Sequence, residues 1–136
     1  MSLEVWTARM FTLDPDRFDV TRKSGGAAGV IFAPSWTILR PALAARKEAK
    51  RLRDEEGDQF WAFETEEETW RQYVPAFLAE MRTSLRAHQP AWEALLVRPR
   101  VVLACYCVDR ERCHRTLLAR DILPTLGATY RGEATP

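Results

Sequence analysis

The 136-residue chain is predicted to adopt an α/β fold, a small three-layer sandwich built on a mainly parallel sheet. Segments rich in β-forming residues open the chain, and a long stretch with helical patterning follows from residue 35 to residue 96. A continuous apolar run at 101–105 then precedes a further helical pattern. Such a run is typical of a strand buried on both faces, as in a parallel sheet covered by helices. Strands separated by helices favour this fold class.

Two short strands are predicted at the beginning of the chain. Residues 3–10 place alternate side chains on two faces, and residues 18–21 form a second β-rich segment after the turn residues 14–16. Residues 22–29 are rich in glycine and predict a loop or a very mobile turn, which we interpret as a flexible lid or a plain connector. Residues 30–33 are apolar and fit either a strand or the buried entry to a helix.

Helices are predicted through the middle of the chain. Ser35 is a fair N-cap, and a second helix is expected to open near Pro41 and to end at Gly57. Residues 65–68, Thr-Glu-Glu-Glu, have the pattern of a capping box and predict another helix start. Pro75 should kink that helix rather than end it.

The last third of the chain predicts a strand between two helices. A short helix is expected at 90–96, and the buried strand at 101–105 follows it. A polar loop at 108–112 leads to a helix that begins near Cys113, and Gly127 is a natural residue to end it.

Composition predicts one globular domain over residues 1–136. Hydrophobic residues make up 46% and charged residues 29%, and the net charge of +1 gives no global attraction to nucleic acid or membrane. We expect no membrane span and no signal peptide, and therefore a cytoplasmic location. In a reducing compartment the three cysteines are expected to be free thiols or ligands rather than disulfides. No cofactor is predicted, and the oligomeric state is left open.

All three cysteines lie within nine positions, which predicts a site. Cys105 ends the buried strand, Cys107 follows two residues later, and Cys113 opens the helix together with His114 and Arg115. Ligands bind at the carboxyl ends of parallel strands, and helix N-termini attract anions. A cysteine in the first turn of a helix and next to arginines should have a lowered thiol pKa, so we expect the thiolate at Cys113.

Three interpretations of this cluster stay open. The thiols could be small buried hydrophobic groups, because free cysteine is among the most buried residue types. They could form a thiolate and arginine site for a small anionic ligand, with Cys105 or Cys113 as nucleophile and His114 as proton carrier. They could also hold a metal through Cys105, Cys107, Cys113 and His114. The Cys-x-Cys spacing and the adjacency of Cys113 and His114 are unusual for zinc sites. We therefore expect that the cluster does not bind a metal.

Two further groups of residues are candidates for binding. Asp19 and Arg22 follow the second predicted strand and could face the same crevice as the cysteines, or could form a surface ion pair. The basic run at 40–53 could bind nucleic-acid phosphates. The favoured alternative for this run is a solvated helix face that pairs with the acidic residues at 54–68.

The pattern of the last third resembles a family of bacterial and archaeal proteins, domain of unknown function 488 (DUF488). The resemblance lies in the apolar strand 101–105 that ends in cysteine and in Cys113-His114-Arg115 at the start of a helix. The segments 19–25, 32–36 and 126–133 are also similar to parts of the family, in the same order. The similarity covers most of the chain.

The resemblance implies a small Rossmann-like α/β domain without an established reaction. It points to Cys105, Cys113, His114 and Arg115 as the shared cluster. Many members have an acidic residue where this chain has Cys107, which argues against a Cys-x-Cys ligand pair as a family feature. We therefore expect a thiolate site for a phosphate- or nucleotide-like ligand, with a metal-binding or nucleic-acid-associated module as the alternative. Arg115, Asp19 and Arg22 are the expected ligand contacts.

Overall fold

The computed structural model describes residues 2–134 and contains a four-stranded, all-parallel sheet. The strands are β1 (Glu4–Arg9), β2 (Arg17–Asp19), β3 (Arg100–Cys105) and β4 (Thr129–Glu133), and their order across the sheet is β2-β3-β1-β4. Helices connect them, which confirms the predicted α/β class and parallel sheet. Strand β3 has neighbours on both sides and is buried over residues 101–105, as its continuous apolar sequence predicted.

The register of the sheet brings the carboxyl ends of three strands together. Arg9 in β1 pairs with Cys105 in β3, and Asp19 in β2 pairs with Ala104. The backbone continues this alignment past the strands, because the Met10 N–H donates to the Cys105 carbonyl at 2.9 Å. Residues that follow β2 and β3 therefore begin at the same edge of the sheet.

The chain divides into two compact units. The sheet unit comprises Met1–Ala33 and Met81–Pro136, and the helical unit comprises Pro34–Glu80. The single domain over 1–136 stays a prediction. In the sheet unit, the ring of Phe32 packs against Phe18 and Trp92, with ring centroids 5.6 Å and 4.8 Å away. This aromatic cluster and the apolar strands form the core that supports the strand ends.

The helical unit contains helix α2 (Trp36–Glu56) and most of α3 (Gln59–Ala87). Helix α2 is continuous through Pro41, so the separate second helix expected there is wrong. Ser35 occupies the N-cap position but makes no side-chain cap, because its N–H and Oγ–H donate to the Glu80 carboxylate. Gly57 ends α2 as predicted, with a left-handed φ of 62° that suits glycine.

Helix α3 begins six residues before the predicted capping box. Asp58 directly follows Gly57, and its carboxylate accepts from the Trp61 N–H at 2.9 Å, so Asp58 provides the cap instead. Thr65 lies inside the helix, where its hydroxyl donates to the Trp61 carbonyl. The helix continues past Pro75, as expected.

The glycine-rich segment is a turn over residues 22–24 and becomes helical at Gly26, so the prediction of a loop or turn at 22–29 is wrong only for its second half. Helix α1 (Gly26–Gly29) leads into a 3-10 turn, Val30–Phe32, so the helix-entry alternative for 30–33 is confirmed. A Cβ on Gly29 would collide with the Asp19 carbonyl, and a Cβ on Gly25 would lie 2.6 Å from the Thr21 carbonyl oxygen. The glycines therefore let this helix pass directly against the end of β2.

The helix after β3 changes pitch along its length. Helix α4 (Gln89–Leu96) precedes β3, and helix α5 (His114–Thr116) follows it with Cys113 as N-cap. Helix α5 continues into a π-helical turn, Leu117–Ile122, and then a 3-10 turn, Leu123–Leu126, that contains Pro124. Proline has no N–H to donate, which interrupts regular α-helical bonding there. Gly127 ends the segment as predicted.

Within residues 2–134, no single helix has the length and apolar character needed to cross a membrane. The bent pair Gly26–Phe32 and Trp36–Glu56 meets that test only when both helices are counted together, by length and composition alone.

Candidate thiol site at the strand ends

The cluster is built from the end of β3 and the start of α5. Cys105 is the last residue of β3, and Cys113 is the N-cap residue of α5. His114 and Arg115 form the first turn of this helix, and all four residues are buried. Cys107 lies between the two elements and is half-buried. The structure thus brings together the residues that the sequence placed at a strand-to-helix junction.

The sulfur atoms and the imidazole are close to one another. Cys105 Sγ lies 3.5 Å from Cys107 Sγ, and His114 Nδ1 lies 4.0 Å from the sulfurs of both Cys105 and Cys113. The possible ligand atoms of Cys105, Cys113 and His114 all fall within 4.8 Å of one another. The three thiols and one imidazole therefore form a single cluster.

The orientation of the His114 ring is set by the backbone. Its Nε2 lies 2.6 Å from the carbonyl oxygen of Val20, which follows β2. A carbonyl oxygen can only accept, so Nε2 must carry the hydrogen. In the neutral ring, Nδ1 is then an acceptor toward a thiol, and in the protonated ring it is a donor toward a thiolate. Sequence reasoning missed Val20, because a backbone carbonyl leaves no signature in side-chain types.

Arg115 is a buried cation beside the sulfurs. Its side chain is 0% exposed, and its Nη1 donates to the Cys107 carbonyl at 2.9 Å and to Cys113 Sγ at 3.4 Å. Its Nη2 donates to Glu133 Oε1 in β4 at 2.6 Å. Within the described residues, Arg115 Nε and Glu133 Oε2 have no hydrogen-bond partner. The guanidinium thus favours negative charge on the cluster while being anchored by a carboxylate that the sequence did not single out.

The thiolate is favoured at Cys105, not at Cys113. Hydrogen bonds from the thiols of Cys107 and Cys113 lower the pKa of Cys105, and His114 adds to this effect against the opposing effect of burial. Burial raises the pKa of Cys113, and its hydrogen bonds to the other two sulfurs raise it further. The expected lowered pKa at Cys113 is therefore wrong. This residue precedes the first helical turn and is 1% exposed, so burial disfavours its thiolate.

Asp19 belongs to a neighbouring polar network. Its Oδ1 accepts from the Thr21 N–H at 2.9 Å and from the Thr21 hydroxyl at 2.6 Å. Its Oδ2 accepts from Ser24 Oγ, which lies 2.9 Å from the Tyr106 hydroxyl. Because side chains alternate along strands, the pairing of Asp19 with Ala104 puts Asp19 on the face opposite to Cys105.

Arg22 supports the glycine-rich helix. Its Nη2 donates to the carbonyls of Val30 and Ala33, each at 3.2 Å, so it closes the 3-10 turn after α1. The structure thus brings Cys105, Cys113, His114 and Arg115 together, whereas Asp19 and Arg22 make contacts of their own beside β2. Ligand contact by Asp19 and Arg22 stays a prediction.

The basic run on α2 carries ion pairs within the helical unit. Lys50 pairs with Asp54, and Arg51 pairs with Glu48 at 2.6 Å and with Glu56 at 3.1 Å. These pairs agree with the interpretation of a solvated helix face. Binding of nucleic acid by this run stays a prediction.

Comparison with known proteins gives a match to one family model. The model describes the active DUF488-N3 subclade, DUF488-N3a, and it matches residues 54–126, more than half of the chain. The matched region contains β3, all three cysteines, His114 and Arg115. No curated protein and no solved structure matches the chain.

Proposed function

Because the chain belongs to the DUF488 family, in its active N3 subclade, we propose that Cys105 is a reactive thiolate that acts on a small anionic ligand. The description of the matching subclade as active supports a working site in this chain. The matched region includes the three cysteines, His114 and Arg115. It does not include Val20 and Glu133, which form hydrogen bonds with His114 and Arg115.

The observation that carries the proposal is the convergence of groups on the Cys105 sulfur. Cys107 Sγ lies 3.5 Å away, His114 Nδ1 lies 4.0 Å away, and the Cys113 sulfur lies within 4.8 Å. A thiolate is the reactive form of cysteine, and hydrogen bonds and nearby cations stabilise it. Cys105 is also at the carboxyl end of a parallel strand, where α/β folds bind ligands.

Each neighbour has a distinct role in this proposal. Cys105 is the nucleophile, and Cys113 stabilises its negative charge as a hydrogen-bond donor. His114 carries protons through Nδ1, since its Nε2–H is held by the Val20 carbonyl. Arg115 supplies positive charge from a buried position, because both of its terminal nitrogens already have protein partners.

The anionic ligand would be contacted by a more accessible arginine than Arg115. Arg112 directly precedes Cys113, and its side chain is 17% exposed. An ion pair with Asp109 at 3.1 Å holds it beside the start of α5. An incoming phosphate or carboxylate would exchange with the Asp109 carboxylate, since arginine binds both groups through the same fork of N–H donors.

The test compares two alkylating reagents of similar size and different charge. Rates of Cys105 carboxymethylation by anionic iodoacetate and of carbamidomethylation by neutral iodoacetamide are measured at pH 7 by peptide mass spectrometry. We expect Cys105 to react faster than a free thiol with both reagents, and the ratio of iodoacetate to iodoacetamide rates to exceed that of free cysteine. If Cys105 and free cysteine gave the same ratio of iodoacetate to iodoacetamide rates, the preference for an anion would be contradicted. Slow reaction of Cys105 with both reagents would contradict an activated thiolate.

Matched arginine variants locate the positive charge. Arg112→Gln should lower the rate ratio, whereas Arg110→Gln should leave it unchanged, because the Arg110 side chain is 57% exposed and solvent screens its charge. The Cys107→Ser variant confirms that the modified residue is Cys105.

A metal centre is the second candidate, and the donor geometry favours it specifically. Tetrahedral zinc binds sulfur at about 2.3 Å and histidine nitrogen at about 2.0–2.1 Å, which separates neighbouring donors by roughly 3.5–3.8 Å. The separations of 3.5 Å between the sulfurs of Cys105 and Cys107 and of 4.0 Å between His114 Nδ1 and its two neighbouring sulfurs are close to these values, and the donor atoms of Cys105, Cys113 and His114 all lie within 4.8 Å of one another. The Nε2 contact with the Val20 carbonyl is also the outer hydrogen bond that metal-binding histidines usually make.

Elemental analysis separates the two candidates. Protein purified without chelator is assayed for zinc and other thiophilic metals. A stoichiometric metal that is lost in Cys105→Ser, and alkylation of Cys105 that becomes fast only after chelation, would favour the metal centre. Metal-free protein with fast alkylation would favour the thiolate.

A further inference from the structure

We infer that Cys105 and Cys107 form an oxidisable dithiol, which hydroperoxides convert to a disulfide that switches off the reactive thiol. This inference rests on the proposed reactivity of Cys105 and assigns a regulatory role to Cys107. The two sulfurs lie 3.5 Å apart, within contact distance of each other.

The backbone allows this disulfide. Two residues of extended chain span at most about 7 Å, and a disulfide needs a Cα separation below about that value. The chain leaves the strand after Cys105 and bends at Tyr106, which shortens the span. The sulfurs already face each other, so closing the bond requires a shift of roughly 1.5 Å to the usual length of about 2.05 Å.

Access to solvent favours Cys107 as the resolving residue. Cys107 is half-buried, whereas Cys113 is 1% exposed. Cys113 is also the helix N-cap, and its sulfur accepts a hydrogen bond from Arg115 Nη1 at 3.4 Å. A bond between Cys105 and Cys113 would disturb that contact, whereas Arg115 is bonded to Cys107 through the backbone carbonyl and not through the sulfur that would react.

The chemistry proceeds in two steps that balance. The Cys105 thiolate attacks one oxygen of hydrogen peroxide, the O–O bond breaks, and the departing hydroxide takes a proton to form water. Cys105 is now a sulfenic acid, oxidised by two electrons. The Cys107 sulfur, after losing its proton, attacks the Cys105 sulfur, the S–O bond breaks, and the hydroxide leaves as a second water. Two thiols and one peroxide thus give one disulfide and two waters.

Trypsin separates the three cysteines in a convenient way. Cleavage after Arg100, Arg110, Arg112 and Arg115 yields peptide 101–110, which holds Cys105 and Cys107, and peptide 113–115, which holds Cys113. Full-length, chelator-treated protein is exposed to hydrogen peroxide, and remaining thiols are blocked before digestion. We expect peptide 101–110 to be two hydrogens lighter, as a disulfide requires, and to carry no thiol-blocking group. Peptide 113–115 should carry one thiol-blocking group on Cys113.

Two variants serve as matched controls. Cys113→Ser should still form the disulfide within peptide 101–110. Cys107→Ser should instead give a Cys105 sulfenic acid that a dimedone probe traps and that progresses to the sulfinic acid. A cross-link between peptides 101–110 and 113–115 in the unmodified protein would overturn the inference, as would peptide 101–110 that stays a dithiol.

The same set distinguishes this inference from the proposed function. Slow alkylation of Cys105 in the unmodified protein, located by fragmentation of peptide 101–110, would contradict the proposed function. Disulfide formation driven by the thiol oxidant diamide tests the sulfur geometry alone. Fast alkylation of Cys105 without a disulfide under either oxidant would overturn the inference and leave the proposed function in place.

Discussion

The imidazole of His114 at the start of α5 is hydrogen-bonded to the carbonyl of Val20, the residue that follows β2. The contact joins two positions that are 94 residues apart in sequence. It fixes the ring so that Nδ1 meets the sulfurs of Cys105 and Cys113. The site therefore depends on correct assembly of the sheet edge as well as on the local sequence around the cysteines.

Replacing His114 tests this dependence. His114→Ala removes the donor to the buried Val20 carbonyl, and a buried group left without its partner costs about 1–3 kcal/mol. We expect a loss of that size in the free energy of unfolding measured by urea denaturation. Replacement of the exposed His88, the other histidine of the chain, is the control and should change it by less than about 0.5 kcal/mol.

Removing the partner of Arg115 should be costly. Glu133→Ala leaves a buried guanidinium without its carboxylate, and breaking a buried ion pair in this way costs about 3–5 kcal/mol. Glu133 is itself 20% exposed, so we expect a value at the lower end, about 3 kcal/mol, by urea denaturation. The double change Arg115→Met with Glu133→Ala should recover part of the loss. Equal losses in the single and double variants would show that the charge is not the cause.

The close contact at Gly29 predicts sensitivity to a single methyl group. Gly29→Ala would drive a Cβ into the Asp19 carbonyl, and overpacking of this kind costs about 1–3 kcal/mol. We expect a lowered melting temperature, measured by circular dichroism. Ala27→Ser, at an exposed position of the same short helix, is the matched control and should melt within about 1–2 °C of the parent protein. An unchanged melting temperature in Gly29→Ala would contradict the packing of α1 on β2.

The cysteine pKa values predict how stability changes with pH. The folded state lowers the pKa of Cys105, so below the unfolded thiol pKa of about 8.5 the unfolded chain binds more protons at this residue. This contribution to stability therefore increases as pH rises toward 8.5, by up to about 1.4 kcal/mol per pH unit. The raised pKa of Cys113 has the opposite effect on the free energy of unfolding. Above about pH 8.5 the folded state binds more protons at this residue, so its contribution to stability decreases as pH rises.

Comparison with Cys105→Ser isolates the first effect. The difference in unfolding free energy between the parent protein and this variant, from urea denaturation at pH 6, 7 and 8, should increase with pH. A difference that stays constant over this range would contradict a lowered Cys105 pKa in the folded state.

The sequence was sufficient for features that depend on local pattern. The apolar run of β3, the helix start at Cys113 and the helix ends at Gly57 and Gly127 are each found as predicted. Each depends on a few adjacent residues whose preferences agree with the fold. The family resemblance also selected the residues that the structure clusters.

Features that depend on distant contacts were not predictable in this way. Strand β4 is short, polar and half-exposed, so it lacks an apolar signal and forms through pairing with β1. The glycines of α1 were interpreted as a loop, because the approach of the Asp19 carbonyl is a tertiary contact. Thr65 was predicted to be a helix N-cap, but the helix begins earlier in the chain, where Asp58 provides the cap. The Val20 and Glu133 contacts to the site are of the same kind.

The burial of Cys113 gives the protein an internal probe of its own opening. Its sulfur is shielded, and its carbonyl accepts from the N–H groups of Thr116 and Leu117, so a bulky thiol reagent reaches it only when the start of α5 separates from the sheet edge. In a variant with the other two cysteines changed to serine, the labelling rate of Cys113 under native conditions would therefore report the free energy of that local opening. The segment that shapes the site can thus be followed through its own thermal fluctuations without an added label.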